Sequence, residues 1–245
     1  FHKTPTYEDM EEYAGLKKNI RIWHISDTHG MHEQLNVPDY SNYEVIIHTG
    51  DCSNSSNSAK SSQEIWKFIE WFSKIPGKKI YVPGNHDTAI CRKLITEKEF
   101  SRNDIVLLID KEHVYNGIKI YGSPWTPEFC GWSFMRARYK MDVIWNNIPE
   151  GTTILATHGP AKSILDLTET REHTLKQCGD KSLYNAIQAK GVKYHLFGHI
   201  HDYEWCSNQG AIQRGRTIYS NGSCVTDGKF DNGLSSHGNI IKIKL

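Results

Sequence analysis

The chain has 245 residues, 38% of them hydrophobic and 23% charged, with a formal net charge of +1. That length allows one large domain with a substantial core, and a balance so close to neutral argues against a general electrostatic pull toward nucleic acid or an anionic membrane. No apolar run is long enough to cross a bilayer, the opening FHKTPTYEDMEEYAGLKKN is not patterned as a signal peptide, and six scattered cysteines without a CxxC pair fit reduced thiols in a cytoplasmic protein.

In chain order, an N-terminal extension (1–19) precedes the first strand, IRIWHIS (20–26), and EVIIHTG (44–50) follows. A polar tip, SNSSNSAKSS (53–62), leads into a helix in which Ile65, Phe68, Ile69 and Phe72 share one face. Next come KKIYVPG (78–84), a helix over TAICRKL, IVLLID (105–110) and GIKIYGS (117–123), with Asn116-Gly117 as a hairpin turn. After TTILATHG (152–159), the stretch 161–182 has no clear periodicity and sits where a substrate-facing loop is expected. SLYNAIQAKG then reads as a helix capped by Ser182, with Leu183, Ala186 and Ile187 inward and Gly191 at its end. KYHLFGH (193–199) and NIIKIKL (239–245) complete the strands. Short runs of Ile, Val, Leu and Tyr ending in Gly or polar residues read as strands buried on both faces. The expected fold is α/β: a two-sheet β-sandwich flanked by helices, with 1–245 as one domain and no internal boundary.

Five of these strands run into metal-capable side chains: Asp27 and His29, Asp51, Asn85-His86-Asp87, His158, and His199 with His201. A glycine lies within three residues of each ligand. The carboxyl ends of strands in α/β sheets form the crevice where ligands bind, so side chains from five strands converge there. Two divalent ions about 3.5–4 Å apart need an anionic bridge, which a shared carboxylate and a hydroxide supply. The resulting site is net positive and attracts phosphate, and coordination lowers the pKa of a bound water toward ~7. Nitrogen and oxygen donors without thiolate suit manganese first, with iron, zinc, cobalt or magnesium as alternatives. His24, His48 and His195 fall inside strands, as core or supporting residues; His2, His32, His113, His173 and His237 read as surface.

Asp27-x-His29, Gly50-Asp51, Gly84-Asn85-His86-Asp87, His158 and Gly198-His199-x-His201 together resemble the calcineurin-like metallophosphoesterase superfamily. GIKIYGSPWTPEF, Trp145-Asn146-x-Ile148-Pro149-Glu150-Gly151 and ATHGP resemble its metallophosphoesterase-domain, brain-type branch, which is associated with class III cyclic nucleotide phosphodiesterase activity. The resemblance implies a dimetal site at one edge of the sandwich. One metal would take Asp27, His29, Asp51 and His201, the other Asp51, Asn85, His158 and His199, with Asp51 bridging. It also implies that His86 faces substrate, protonating the leaving group or stabilising the transition state, a task suited to an imidazole. Asp87 either orients His86 by a hydrogen bond or caps the following helix. The protein phosphatases of the superfamily carry arginines beside Gly-Asp and Gly-Asn-His; GDCSNSS and VPGNHD have none, which argues against that activity.

The expected function is hydrolysis of a small phosphodiester, 3′,5′- or 2′,3′-cyclic nucleotides first, by a bridging hydroxide. The alternatives are a nuclease or more general phosphodiesterase or monoesterase, and a non-catalytic nucleotide-binding or scaffold protein. A small phosphoester is the expected partner, with no membrane and no nucleic acid. Arg171 stands near the motifs as a phosphate contact or a surface residue, and Trp125 and Phe129 stand as stacking or buried aromatics.

Overall fold

The computed structural model describes residues 19–170, 174–203, 206–227 and 233–244. The N-terminal extension up to residue 18, with His2, and likewise Arg171 and His173, lie outside the described residues.

Five strands form the first sheet. β1 (Ile20–Ile25), β2 (Val45–His48), β3 (Lys78–Tyr81) and β4 (Ile105–Leu107) run parallel. The helix α1 (Ser58–Lys74) connects β2 to β3, and the short helices α2 (Thr88–Cys91) and α3 (Glu97–Ser101) connect β3 to β4. The second sheet begins with the hairpin β5 (Lys111–Tyr115) and β6 (Ile118–Ser123), which turns at Asn116-Gly117 with Tyr115 opposite Ile118. A small parallel pair, β7 (Thr126–Pro127) and β8 (Met135–Arg136), and the helix α4 (Met141–Trp145) precede β9 (Ile154–Thr157). In the stretch without periodicity, β10 (Leu167–Glu169) and β11 (Leu175–Gln177) pair antiparallel. The chain continues through α5 (Lys181–Lys190), β12 (Tyr194–Phe197), β13 (Gly210–Arg214) and β14 (Thr217–Asn221) to β15 (Asn239–Ile243). The strand orders are β15-β1-β2-β3-β4 and β13-β14-β12-β9-β6-β5.

The two-residue side-chain period sorts each strand between two apolar layers. Ile20, Ile22, Val45, Ile47 and Ile80 face Ile118, Ile120, Ile154, Ala156 and Leu196 across the space between the sheets. From the other face of the first sheet, Trp23, Ile25, Ile46 and Tyr81 pack on Ile65, Phe68, Ile69 and Phe72 of α1. Tyr121, Leu155, Phe197 and Tyr219 of the second sheet pack on Met141 and Trp145 of α4 and Leu183 and Ile187 of α5. The layers are therefore helix, sheet, sheet, helix, the sandwich expected from strands apolar on both faces.

Several local readings change. α1 starts inside the polar stretch, because the Asn57 side chain accepts from the Ala59 and Lys60 N–H groups and caps it. The cap of α5 is Asp180, which accepts from Ser182 N–H, while Gly191 closes it at φ 63° as expected. TAICRKL gives a single helical turn that ends at Cys91. His32, expected at the surface, is buried with its ring 5.5 Å from that of Phe68 and 5.2 Å from that of Trp71. His113 is half-buried, whereas His237 is exposed as expected. The strands β13 (GAIQR) and β14 (TIYSN) have only two adjacent apolar residues each and end in polar ones, and they are additions to the expected elements.

Candidate metal centre

The parallel strands of both sheets send their carboxyl ends to one edge. Asp27 and His29 follow β1, Asp51 follows β2, and Asn85 and His86 follow β3. From the second sheet, His158 follows β9, and His199 and His201 follow β12. The turns that aim these side chains are tight. Asp27, His29, Asp51 and His199 all take left-handed backbone conformations (φ 50°, 42°, 58° and 72°). Such backbone is costly for residues with a Cβ and persists where the surroundings over-determine it, which occurs at functional sites. Glycines supply the clearance: a Cβ on Gly84 would overlap Asp51 Oδ1, and one on Gly198 would overlap Asp27 Oδ2.

The ligating atoms converge in two groups, Asp27 with His29 and His201, and Asp51 with His158 and His199, each within 4.8 Å. Asp51 joins them. Its Oδ2 is 3.3 Å from His158 Nε2, 4.0 Å from His29 Nε2 and 4.0 Å from His86 Nε2. Asn85 Oδ1 lies 2.9 Å from His158 Nε2, and His201 Nε2 lies 3.1 Å from Asp27 Oδ1. All seven residues expected as metal ligands thus meet at one place. His86, expected to face substrate, lies beside them, a ring nitrogen within 4.8 Å of a His29 ring nitrogen and an Asp51 carboxylate oxygen.

The donor set fits divalent cations. His29 Nε2 is buried with no hydrogen-bond partner, 3.9 Å from Asp27 Oδ1, a separation that leaves space for an ion between them. The other ring nitrogens are anchored. Nδ1–H of His29 donates to the Ser53 carbonyl at 3.1 Å, and Nδ1–H of His158 donates to the Thr49 carbonyl at 2.8 Å. Nδ1–H of His201 donates to Asp227 at 2.8 Å. A carbonyl or carboxylate on one nitrogen leaves the other as a lone pair for metal, the usual arrangement around histidine ligands.

Charge in the cluster is tightly shared. Burial opposes a charge on His158, but the Asp51 carboxylate outweighs it and pushes the imidazole up to about 9. Burial is likewise overcome at His201, where Asp227 and Asp27 push it up to about 10. Against burial, the surrounding histidines hold Asp27 and Asp51 below the usual carboxylate range. Burial lowers His29, and burial with the neighbouring His158 lowers His199 to about 3.

Asp87 takes the N-cap position of α2, as one of the two expectations had it, but its side chain makes no capping hydrogen bond there and does not orient His86. Its Oδ2 accepts from Tyr81 O–H (2.6 Å), Gly84 N–H (2.7 Å) and Asp51 N–H (3.0 Å), and its Oδ1 from Ser53 N–H (3.2 Å). It is a buried clasp between the loops after β2 and β3. Burial and the charge of Asp51 together push it up to about 6. His86 is instead held by Asn54, whose carbonyl accepts from Nδ1–H at 3.2 Å, and by Trp132, whose ring centroid is 4.0 Å away. The in-strand histidines brace the loops as expected: His24 bridges Ser220 and Thr49, and His48 accepts from Gly50 N–H while its Nε2–H donates to Thr28 Oγ1.

Four contributors were not read from the sequence. Ser223 donates to Asp27 Oδ2 at 3.0 Å, Asp227 holds His201, and both follow the unexpected strand β14. Trp132 lies in the β7–β8 loop. Arg138 lines the cavity and donates to the carbonyls of Gly179 and Cys178, a cation beside a site whose Gly-Asp and Gly-Asn-His blocks carry no arginine. The cavity above the cluster has a volume of about 680 Å³, and Thr168, Cys178 and Gly179 of the β10–β11 region form part of its wall, so the stretch without periodicity does face the site. The six cysteines are free thiols. No helix among the described residues is long and apolar enough to cross a membrane.

A two-sheet sandwich with histidines, carboxylates and an asparagine at its strand ends defines a class, the metallophosphoesterases. Residues 20–203 match the model of the calcineurin-like phosphoesterase family, and the chain belongs to that family. It is 31% identical over 227 residues to the human metallophosphoesterase domain-containing protein 1, an alignment covering 82% of this chain and 65% of the human one. The chain therefore spans less than two thirds of that relative's length. It is 23% identical over 203 residues to the DNA double-strand break repair protein Mre11 of Saccharolobus solfataricus, covering 74% of this chain and 49% of that one. The structure of phosphopantetheinyl hydrolase from Mycobacterium tuberculosis superposes with a TM-score of 0.57 at 15% identity, over 82% of this chain and 88% of that one, a likeness of fold.

Proposed function

We propose that this chain is a phosphodiesterase that works with two divalent cations, manganese foremost, on small phosphoesters, with cyclic nucleotides as the leading substrates. The observation that carries the reading is the position of Asp51 Oδ2, within 4.0 Å of ring nitrogens from both ligand groups and of His86. Asp27, His29, Asp51 and His201 would hold one cation, and Asp51, Asn85, His158 and His199 the other. When bound, such a pair supplies Lewis acidity toward phosphoryl oxygens and a water acidic enough to ionise near neutral pH.

The residues do the rest. With Nδ1–H committed to the Asn54 carbonyl, His86 presents Nε2 to the cavity, and in the imidazolium form the Nε2 proton can pass to the departing oxygen. Its imidazolium form also stabilises charge on the phosphoryl oxygens. His86 N–H donates to Asp51 Oδ1 at 2.7 Å and fixes the carboxylate so that Oδ2 points into the cluster. Around them, a cavity of about 680 Å³ is of the size that encloses a nucleotide-scale ligand.

The test is hydrolysis of bis-p-nitrophenyl phosphate, 3′,5′- and 2′,3′-cyclic AMP and a short single-stranded DNA by manganese-supplemented protein, with metal content measured in parallel. Wild type turns over the diesters, and Asp51→Ala, Asn85→Ala and His158→Ala abolish turnover with loss of metal. Undiminished turnover in Asp51→Ala defeats the assignment. Preferential cleavage of DNA makes the protein a nuclease, and ligand binding without turnover makes it a nucleotide-binding protein.

A further inference from the structure

The β7–β8 loop, residues 128–134, reaches over the metal centre and carries aromatic side chains. Most aromatics on and beside it are engaged. Trp125 Nε1–H donates to Asp110 at 2.8 Å, and its ring lies 4.0 Å under the Arg136 guanidinium and 5.7 Å from Phe134. Those partners make Trp125 a structural residue. Trp132 lies against His86. Phe129 differs. It lines the cavity with 59% of its surface exposed, and its ring is tilted 51° against the His199 imidazole at 5.6 Å.

The surroundings of Phe129 extend its apolar surface. Gly159 approaches Thr126 so closely that a Cβ there would lie 2.9 Å from the threonine methyl, and the residues that follow these two, Pro127 and Pro160, both line the cavity. A phosphate held at the cation site beside His199 would carry its ester group past this wall. An exposed, rigid ring next to a strongly polar centre offers a planar group a surface to stack on, and any nucleobase has a face that can use it.

We propose that Phe129 is the stacking platform for a planar organic group of the substrate and sets a preference for nucleotide and aryl phosphoesters over alkyl ones. The inference rests on the phosphodiesterase reading above and adds the substrate class of the same site.

Two arms test it. In the first, manganese-loaded wild type, Phe129→Ala, Phe129→Leu and Phe129→Trp are compared on phenyl p-nitrophenyl phosphate and ethyl p-nitrophenyl phosphate, which share a leaving group. The ratio of kcat/KM for the aryl over the alkyl diester falls about tenfold in Phe129→Ala and Phe129→Leu, chiefly through KM, and returns in Phe129→Trp. Leucine keeps the apolar bulk, so its failure to rescue isolates the ring. In the second, equilibrium binding of AMP and of inorganic phosphate is measured without turnover. Wild type binds AMP more tightly, and Phe129→Ala removes about tenfold of that advantage. An unchanged ratio in both arms, or equal losses on both partners, overturns the proposal. Absence of turnover in wild type with the AMP advantage intact and dependent on Phe129 defeats the phosphodiesterase reading and leaves the platform standing.

Discussion

Trp132 and His86 lie with ring centroids 4.0 Å apart and planes at 45°, and the Asn54 carbonyl fixes the imidazole from the other side at 3.2 Å. An imidazole clamped by a carbonyl and an indole has little rotational freedom, so Nε2 stays over the cluster. Placement of this kind governs the efficiency of proton transfer. His86→Ala should lower kcat by about 10²–10⁴-fold while metal content stays at the wild-type level. A loss of metal in that variant would instead make His86 a ligand, a role its distance to His29 and Asp51 also permits. Trp132→Ala should lower kcat about tenfold with little change in KM for a small diester, and Trp132→Phe should recover most of it, since a ring of similar plane still backs the imidazole. A raised KM with kcat intact would place Trp132 in substrate binding, not in the positioning of His86.

At the level of elements, the site is a set of strand ends separated by tight turns, and the turns depend on backbone clearance. A Cβ at Gly84 would meet Asp51 Oδ1, Asp51 N at 2.6 Å and His158 Cε1 at 2.6 Å, so alanine there must displace the Asp51 carboxylate or the His158 ring. Gly151, in contrast, takes a left-handed backbone at φ 75°, and nothing lies within 4 Å of its missing Cβ. The two substitutions should therefore separate. Gly151→Ala costs about 1 kcal/mol of stability and keeps its metal. Gly84→Ala costs about 1–3 kcal/mol and loses most of its metal, read by urea unfolding beside elemental analysis. Equal metal content in the two variants would show that the cradle adapts. The same elements explain what could be read in the chain. Strands buried on both faces leave apolar runs, and ligands placed directly after them leave fixed local spacings, so the five blocks and the sandwich were legible. Asp227 and Ser223 were not, because β13 and β14 each hold only a pair of adjacent apolar residues before polar ones, with Gly210–Arg214 mostly exposed, and show no apolar run to mark a strand end. The role of Asp87 left no local signal, because besides Tyr81 at the end of β3 and Gly84 of its own loop its donors are Asp51 and Ser53 of the β2 loop, which it meets only in the fold. The burial of His32 depends on Phe68 and Trp71 of α1, more than thirty residues along the chain. The start of α1 did leave a signal, an Asn57 cap, but it was hidden in a run of Ser and Asn that reads equally well as a loop.

The four layers as a whole enclose imidazoles, and that makes stability depend on pH. His24 lies between the sheets, His48 against α1 with its ring 4.9 Å from that of Phe68, and His195 against the outer face of the second sheet, stacked on Phe197 at 4.8 Å. Burial lowers each to about 3, although the charge of Asp27 opposes it at His24 and His48. Their folded pKa values lie below the unfolded value near 6.5, so on acidification the unfolded chain takes up each proton first. The stabilisation they give is complete above about pH 6.5 and is lost as pH falls toward 3. The raised groups act elsewhere: His158 and His201, at about 9 and 10, are protonated in both states of the metal-free protein below pH 5.5. Asp87, at about 6, opposes the three imidazoles in the acid window, so the total slope mixes signs and a difference between variants is the sharper quantity. His195 suits that comparison, since it touches Thr157 Oγ1 at 2.8 Å, has a buried Nδ1 without a partner, and belongs to neither ligand group. In chelator-treated protein, His195→Gln should lose the uptake of one proton on unfolding between pH 4 and 5.5. Its unfolding free energy should then fall less steeply with acid than that of wild type, by about 1.4 kcal/mol per pH unit. Parallel urea titrations at half-unit steps across that window measure the difference. Identical slopes would mean that His195 is already protonated in the folded protein, and that the layer between the second sheet and its helices admits a charge.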